Sequence, residues 1–351
     1  MPTLFITGAT GFIGRHLVEH LAGSDYTIRC LVRAASDTAH LRGQGAELAI
    51  GDVTDRSSVH AGMAGCDYVI HLANVYSFWE RDPRVYRTVN VEGTRNVMEC
   101  ALDQGILKVV HVSSVVSYGK PAVEPFTEES EPGPPLSAYA QSKRQGDEVV
   151  WRLYRERGLP VTVVYPAAVL GPGDDKSSGQ YLRDLVERRL PARVLESSVN
   201  TWVDVRDVAD GLFRAMAADG GIGARYIIGD SRLNFREINE LVEELARVRP
   251  PLMSMPNCLA MIAARLLTTQ TQRRPGDADV WYLLAETYGL LDDIPGVHQA
   301  RAEYFVRTGD LDQAVKQLQF AVPLIRDDFQ LNAKITQRIR EIHSLRQEAR
   351  R

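Results

Sequence analysis

Cysteine is scarce in this chain, and its four residues, Cys30, Cys66, Cys100 and Cys258, stand far apart. That spacing has no metal-type pairing and fits buried thiols of a reducing compartment. Positive charge is not in excess either. A formal net charge of −4 gives no global basic field to draw the chain to nucleic acid or anionic lipid. No uninterrupted apolar run is long enough to span a bilayer. The first apolar strand begins at about Thr3, which leaves no room for a secretory leader. These absences predict a cytoplasmic protein with no nucleic-acid or membrane partner.

What is present begins at the first turn. An apolar strand, Leu4-Phe5-Ile6-Thr7, runs into Gly8, Gly11 and Gly14, and an amphipathic helix follows with Phe12, Ile13, Leu17, Val18 and Leu21 as its apolar positions. Gly8 permits the tight turn, Gly11 lets the backbone approach a diphosphate, and Gly14 lets the helix pack closely. The helix N-terminus then offers its N–H groups to the anion. Further apolar runs predict strands at Thr27–Val32, Ala46–Ile50, Tyr68–Leu72, Val109–Val112 and Val161–Tyr165, with helices between them, notably Tyr86–Leu102 and Tyr139–Arg157. Short apolar strands alternating with helices make an α/β fold, a parallel sheet covered on both faces. Ligands of such sheets sit at the carboxyl ends of the strands. Arg33, Asp52, His71, Asn74, Ser113 and Ser114 all fall there. His111, inside its strand, reads as a satisfied core residue rather than a base.

Tyr139 and Lys143 open the long helix with i, i+4 spacing, which puts them on one face. An ammonium near a phenol favours the phenolate and lowers the tyrosine pKa toward usable values.

Together these segments resemble the extended short-chain dehydrogenase/reductase family, also called the NAD-dependent epimerase/dehydratase family. The resemblance rests on Thr7–Gly14, Gly51-Asp52-Val53, His71-Leu72-Ala73, Asn90–Thr94, Val112-Ser113-Ser114, the Tyr139/Lys143 pair, Gly171–Asp174 and Val205–Ala209, in order over roughly residues 1–267. It implies a doubly wound Rossmann domain with a small substrate lobe. It also implies roles. Tyr139 exchanges the proton at the reacting oxygen, Lys143 tunes Tyr139 and bonds the nicotinamide ribose, and Ser114 holds the substrate oxygen. The glycine turn with Thr10, Phe12 and Ile13, then Asp52, Val53, Leu72, Ala73, Asn74 and Pro166, line the dinucleotide, and Asn90 supports the Lys143 region. The family usually carries a small residue at Asn74, so that side chain is either a bystander or within reach of substrate.

Arg33 follows strand two, where a carboxylate would favour NAD. A guanidinium pairs instead with a 2′-phosphate, so NADP is expected over NAD. Arg15, just past the third glycine, reads as a solvated helix residue. Nucleotide-sugar members of the family place an asparagine where this chain has Ala168, a diphosphate-clamping arginine where it has Asn200, and acids where it has Val115 and Val116. The segment Asn200–Ala209 looks like the dihydroflavonol and cinnamoyl-CoA reductase branch. The expected activity is therefore NADP-dependent hydride transfer at a carbonyl or secondary alcohol of a small organic substrate. A nucleotide-sugar epimerase, or a cofactor-binding scaffold with impaired catalysis, are the alternatives.

After Leu267 the character changes. Residues 1–272 are expected to form the dinucleotide-binding reductase domain, with its substrate lobe from about residue 166, and 273–351 a separate all-α tail. Helical patterns run over Val280–Leu291, Val297–Arg307 and Leu311–Leu324, with Trp281, Leu284, Ala285 and Tyr288 on one face. They resemble tetratricopeptide units, and Gly296–Tyr304 and Gly309–Leu318 look like the repeat segment of M48 metalloproteases. The His-Glu-x-x-His zinc motif of those proteases is nowhere in the chain, so no metal and no protease activity are expected. The tail either packs on the reductase lobe or leaves an apolar face for a protein partner or self-association. A final charged helix, Gln330–Arg351, carries one sparse apolar stripe that includes Ile335 and Ile342.

Overall fold

The computed structural model describes residues 1–76, 84–123, 125–190, 192–193, 196–251, 276–290, 293–325 and 329–348. Ten strands are found among them: β1 Thr3–Thr7, β2 Thr27–Val32, β3 Glu47–Ile50, β4 Tyr68–His71, β5 Lys108–Val112, β6 Val161–Pro166, β7 Ala168–Leu170, β8 Val199–Asp204, β9 Arg225–Ile228 and β10 Ser231–Asn234. Seven of these form one sheet in the order β3-β2-β1-β4-β5-β6-β9, with every pair parallel. The order reverses between β1 and β4, which is the switch point where such sheets hold ligands.

Strand residues alternate between two apolar layers, as the two-residue period requires. Leu4, Ile6, Val110 and Val164 point to a layer built with helices α1 (Phe12–Leu21) and α7 (Val205–Ala217). Phe5, Val109, Val161 and Val163 point to the opposite layer, built with α3 (Arg56–Met63), α4 (Thr94–Asp103) and α5 (Ala138–Arg157). Both faces are covered, so the strands read as unbroken apolar runs. That is why six of the seven are legible in the sequence.

The structure departs from expectation in three places. The seventh strand, β9, is only four residues long and follows the turn at Gly220, Gly221 and Gly223. The helix expected over Tyr86–Leu102 is a π-helical segment, Tyr86–Gly93, that passes into α4. A small second sheet, β10-β8-β7, follows β6.

The chain divides into two compact units: Met1–Arg183 with Asn200–Leu233, and Asp184–Val199 with Asn234–Arg351. The boundary expected at 272/273 lies outside the described residues. The second unit holds α8 (Phe235–Ala246), α9 (Ala278–Leu290), α10 (Ile294–Thr308), α11 (Leu311–Ala321) and α12 (Phe329–Glu348). The Asp293 and Asp310 side chains cap α10 and α11, and Gly309 ends α10 in the left-handed conformation. Leu284, Ala285 and Ala300 pack together with Trp281 and Tyr288. Ile335 and Ile342 of α12 are buried, and Arg338 bridges to Glu303 of α10 at 2.6 Å. Among the described residues no helix is long and apolar enough to cross a membrane.

Candidate active site

The glycine turn forms at the end of β1. Gly8 has φ +77°, and a Cβ there would stand 2.6 Å from the Ala73 amide nitrogen. A Cβ on Gly14 would meet the Gly8 carbonyl at 2.2 Å. The turn is thus pressed between α1 and the segment after β4 with no room for side chains. Gly11 caps α1 without a side-chain hydrogen bond, so no capping side chain takes up the N–H groups of the first turn, beside Thr10, Phe12 and Ile13. This is a cradle that fits a dinucleotide diphosphate, since bare backbone N–H groups are the donors such an anion takes.

The expected rim residues stand at or just after the carboxyl ends of β2, β3, β4 and β6. Arg33 is exposed directly after β2. Arg15 turns back to donate from Nε to the Thr10 carbonyl at 3.1 Å. Asp52 Oδ1 accepts from the Thr54 amide and hydroxyl at 2.9 and 2.8 Å, and the buried Val53 offers its carbonyl to Asn96 at 2.9 Å. Leu72 and Ala73 follow β4, and Pro166 ends β6, buried. The amide of Asn74 folds back and donates to the Leu72 carbonyl at 3.0 Å.

The proton-handling residues lie at the next strand ends. Ser114 follows β5, where its hydroxyl caps the short 3₁₀ turn Val115–Tyr118. Tyr139 and Lys143 are each 3% exposed in the first turns of α5. Burial pushes the Tyr139 phenol well above its ordinary value, Tyr76 adds to this, and a hydrogen bond with Ser114 partly offsets it. The lowering expected from Lys143 is not found: burial raises the phenol instead. The Lys143 ammonium donates to the Val112 carbonyl at 2.9 Å, and burial brings it down to about 8. Asn90 ties the loop after β4 to α5: its Oδ1 accepts from the Val75 amide at 2.7 Å, and its Nδ2 donates to the Ser142 hydroxyl at 2.9 Å.

Two residues, Tyr76 and Asp147, were missed in the sequence, and His71 was placed at a strand end without its partners. Tyr76 sets its ring edge-to-face on Tyr139, with centroids 5.4 Å apart. Asp147 lies one helical turn beyond Lys143, and its Oδ2 accepts from the Ser113 hydroxyl at 2.8 Å; the i, i+4 spacing was its available signal. His71 sits between two threonines, Nδ1 to Thr7 at 2.7 Å and Nε2 to Thr94 at 3.0 Å. His111 is core, as expected, but neither of its ring nitrogens completes a hydrogen bond.

Comparison with known proteins bears on the family and the fold. A family model described as the NAD dependent epimerase/dehydratase family matches residues 4–229. "Sterol demethylase protein B" of Methylococcus capsulatus is 34% identical over 281 residues, 78% of this chain and 83% of that protein. A 4-hydroxy-2-methyl-3-oxo-4-farnesyl-3,4-dihydroquinoline-1-oxide ketoreductase of Stigmatella aurantiaca is 28% identical over 304 residues, 82% of this chain and 88% of that protein. The crystal structure of Thermus thermophilus UDP-glucose 4-epimerase in complex with NAD superposes with a TM-score of 0.63 at 25% identity, covering 72% of this chain and 86% of that one.

Proposed function

Because the chain belongs to the NAD-dependent epimerase/dehydratase family, an enzyme family of NAD(P)-dependent oxidoreductases and epimerases, we propose that it is an NADPH-dependent reductase of a ketone on a small organic molecule with an apolar flank, dihydroflavonol-reductase-like in its chemistry. The observation that carries this reading is Tyr139 hydrogen-bonded with Ser114 at the end of β5 while Lys143 is buried one turn further along the same helix. A phenol held protonated by burial is an acid at neutral pH, which suits delivery of a proton to a carbonyl oxygen. Val115, Val116 and Tyr76 put apolar surface on the segments that carry Ser114 and abut Tyr139, in keeping with the lipophilic ketone in the name of the Stigmatella relative.

In this reading Gly8, Thr10, Gly11, Phe12, Ile13 and Gly14 take the diphosphate. Asp52 and Val53 meet the adenine, Arg33 takes the 2′-phosphate, and Leu72, Ala73, Asn74 and Pro166 line the remainder. The bound reduced nicotinamide supplies the hydride for the carbonyl carbon. Ser114 Oγ and Tyr139 Oη hold the carbonyl oxygen, and Tyr139 gives it the proton. Lys143 holds the ribose and stabilises the charge left on Tyr139, while Asn90 fixes α5 against the loop after β4. The α9–α12 helices act as a tetratricopeptide-like surface for a protein partner or self-association, and the protein works in the cytoplasm.

The test is turnover of a panel of lipophilic ketones, followed as loss of NADPH absorbance. The expected result is ketone-dependent oxidation of NADPH, in preference to NADH. Interconversion of UDP-sugars with no net change in the cofactor would overturn the reductase reading for an epimerase. Tight NADPH binding without turnover of any carbonyl would point to a scaffold.

A further inference from the structure

We propose that Asp147 is a positioning residue of this site, the buried counter-ion that keeps Lys143 protonated and fixed at the end of β5. The inference rests on the reading of Lys143 given above, and its test does not need a substrate.

A buried ammonium is costly. Lys143 is 3% exposed, and a charge that far from water is expensive unless it is paired. It donates to the Val112 carbonyl, which is a dipole and not a charge. Asp147 lies four residues on, on the same face of α5, and is itself only 7% exposed. Its Oδ2 accepts from Ser113 Oγ at 2.8 Å. The ammonium and the carboxylate are therefore pinned to two consecutive residues at the end of the same strand.

The other neighbours of Asp147 do not take over as its partner. Arg144, next on the helix, commits its guanidinium to the carbonyls of Ser117 at 2.9 Å and Gly133 at 2.6 Å. Tyr118, Tyr139 and Tyr165 also feel the Asp147 charge, but all three are phenols that burial keeps neutral. His111 Nε2 lies 3.3 Å from Asp147 Oδ1 without completing a hydrogen bond. Burial and Lys143 hold that imidazole below its ordinary value despite Asp147.

His111 is also backed by a second neutral ring. His71 stacks on it at 5.4 Å, and the surrounding bonds fix its tautomer. The Thr94 hydroxyl donates to the Asn90 carbonyl at 2.8 Å, so it can only accept from His71 Nε2–H. His71 Nδ1 is then an acceptor for the Thr7 hydroxyl, which in turn accepts from the Ala73 amide at 3.2 Å. A proton on Nδ1 would break that chain, so His71 stays neutral. Lys143 is left as the buried cation that the Asp147 charge can serve, and Asp147 is the group that opposes the downward pull of burial on it.

The experiment is an NMR titration of protein labelled with ¹⁵N-lysine. The chain has six lysines, and a Lys143→Arg variant identifies the Nζ resonance of Lys143. Asp147→Asn keeps the shape and removes the charge. The expected result is a fall of the Lys143 midpoint by about one pH unit or more while the other five lysines stay put, and recovery of most of that fall in Asp147→Glu. A midpoint unmoved by Asp147→Asn, or an equal fall in Asp147→Glu, would overturn the proposal. If Asp147→Asn does not fold, Ser113→Ala serves, because it loosens the carboxylate and keeps its charge; a smaller fall is expected and no fall overturns it. NADPH binding is measured on the same samples. A wild type that titrates as described but does not bind NADPH refutes the reductase reading and not the role of Asp147.

Discussion

The rings of His71 and His111 stack with their centroids 5.4 Å apart and their planes inclined by 24°. They belong to neighbouring strands, where the β4–β5 register puts the two residues side by side. Burial, above all, holds both imidazoles below their ordinary value, His71 strongly so; the neighbouring His111 and Lys143 add to this for His71, and Lys143 for His111.

That pair makes the fold acid-sensitive. In the unfolded chain each imidazole takes a proton near pH 6.5, while in the folded chain it resists. Below that pH the unfolded state binds more protons, so stability falls as pH drops, by up to about 1.4 kcal/mol per pH unit for each histidine. Denaturant midpoints measured between about pH 7.5 and pH 5 should decline, and His71→Asn should flatten the decline. A flat profile in the wild type would contradict the neutral pair.

Gly8 and Gly23 share φ +77°, but only Gly8 is crowded, since nothing lies within 4 Å of a Cβ on Gly23. Gly23→Ala should therefore cost only the left-handed backbone, about 1–2 kcal/mol. Gly8→Ala carries the same cost and also drives a methyl group into the Ala73 backbone. It should unfold at clearly lower temperature than Gly23→Ala, and it alone should lose NADPH binding. Equal melting temperatures for the two variants would mean that the turn after β1 yields more than its packing implies.

The contrast between these residues shows what a sequence displays. The glycine turn, the strand ends and the Tyr139/Lys143 pair are local patterns, each complete within a dozen residues, and all were legible. Helices α9, α10 and α11 were legible for the same reason, through apolar spacing and polar turns. β9 was not, because four residues after a glycine-rich turn carry too little pattern. The His71–His111–Asp147 group was not either. Its members sit on β4, β5 and α5, dozens of residues apart, and only the parallel register brings them together. A buried polar residue in an apolar run looks like any other core position until its partners are in view. The fate of Asn74 was likewise a matter of conformation, a side chain turned back on its own strand end.

Arg33 should decide cofactor choice. Its guanidinium stands exposed after β2, where a 2′-phosphate would receive charge-assisted hydrogen bonds worth roughly 1.5–3 kcal/mol. Arg33→Ala should weaken NADPH binding about 10- to 100-fold and leave NADH binding nearly unchanged, as read by calorimetry. A wild type that prefers NADH would rule out the assignment of Arg33 to the phosphate.

Tyr139 should separate chemistry from binding. Its phenol meets the reacting oxygen, whereas the dinucleotide is held by the glycine turn, Arg33, Asp52 and Lys143. Tyr139→Phe should therefore lower turnover of a ketone by about 10²–10⁴-fold, the usual loss on removing a positioned acid, with NADPH affinity nearly unchanged. Lys143→Met should harm both quantities, since that ammonium serves the ribose and the phenol alike. Ser114→Ala should cost less rate than the tyrosine change, because Ser114 orients the oxygen and does not deliver its proton. The ordering Tyr139 over Ser114 in rate, with only Lys143 moving affinity, is specific to this division of labour. Near-normal turnover in Tyr139→Phe would show that the proton comes from another group, and the search would then move to Tyr76, the ring set edge-to-face against Tyr139.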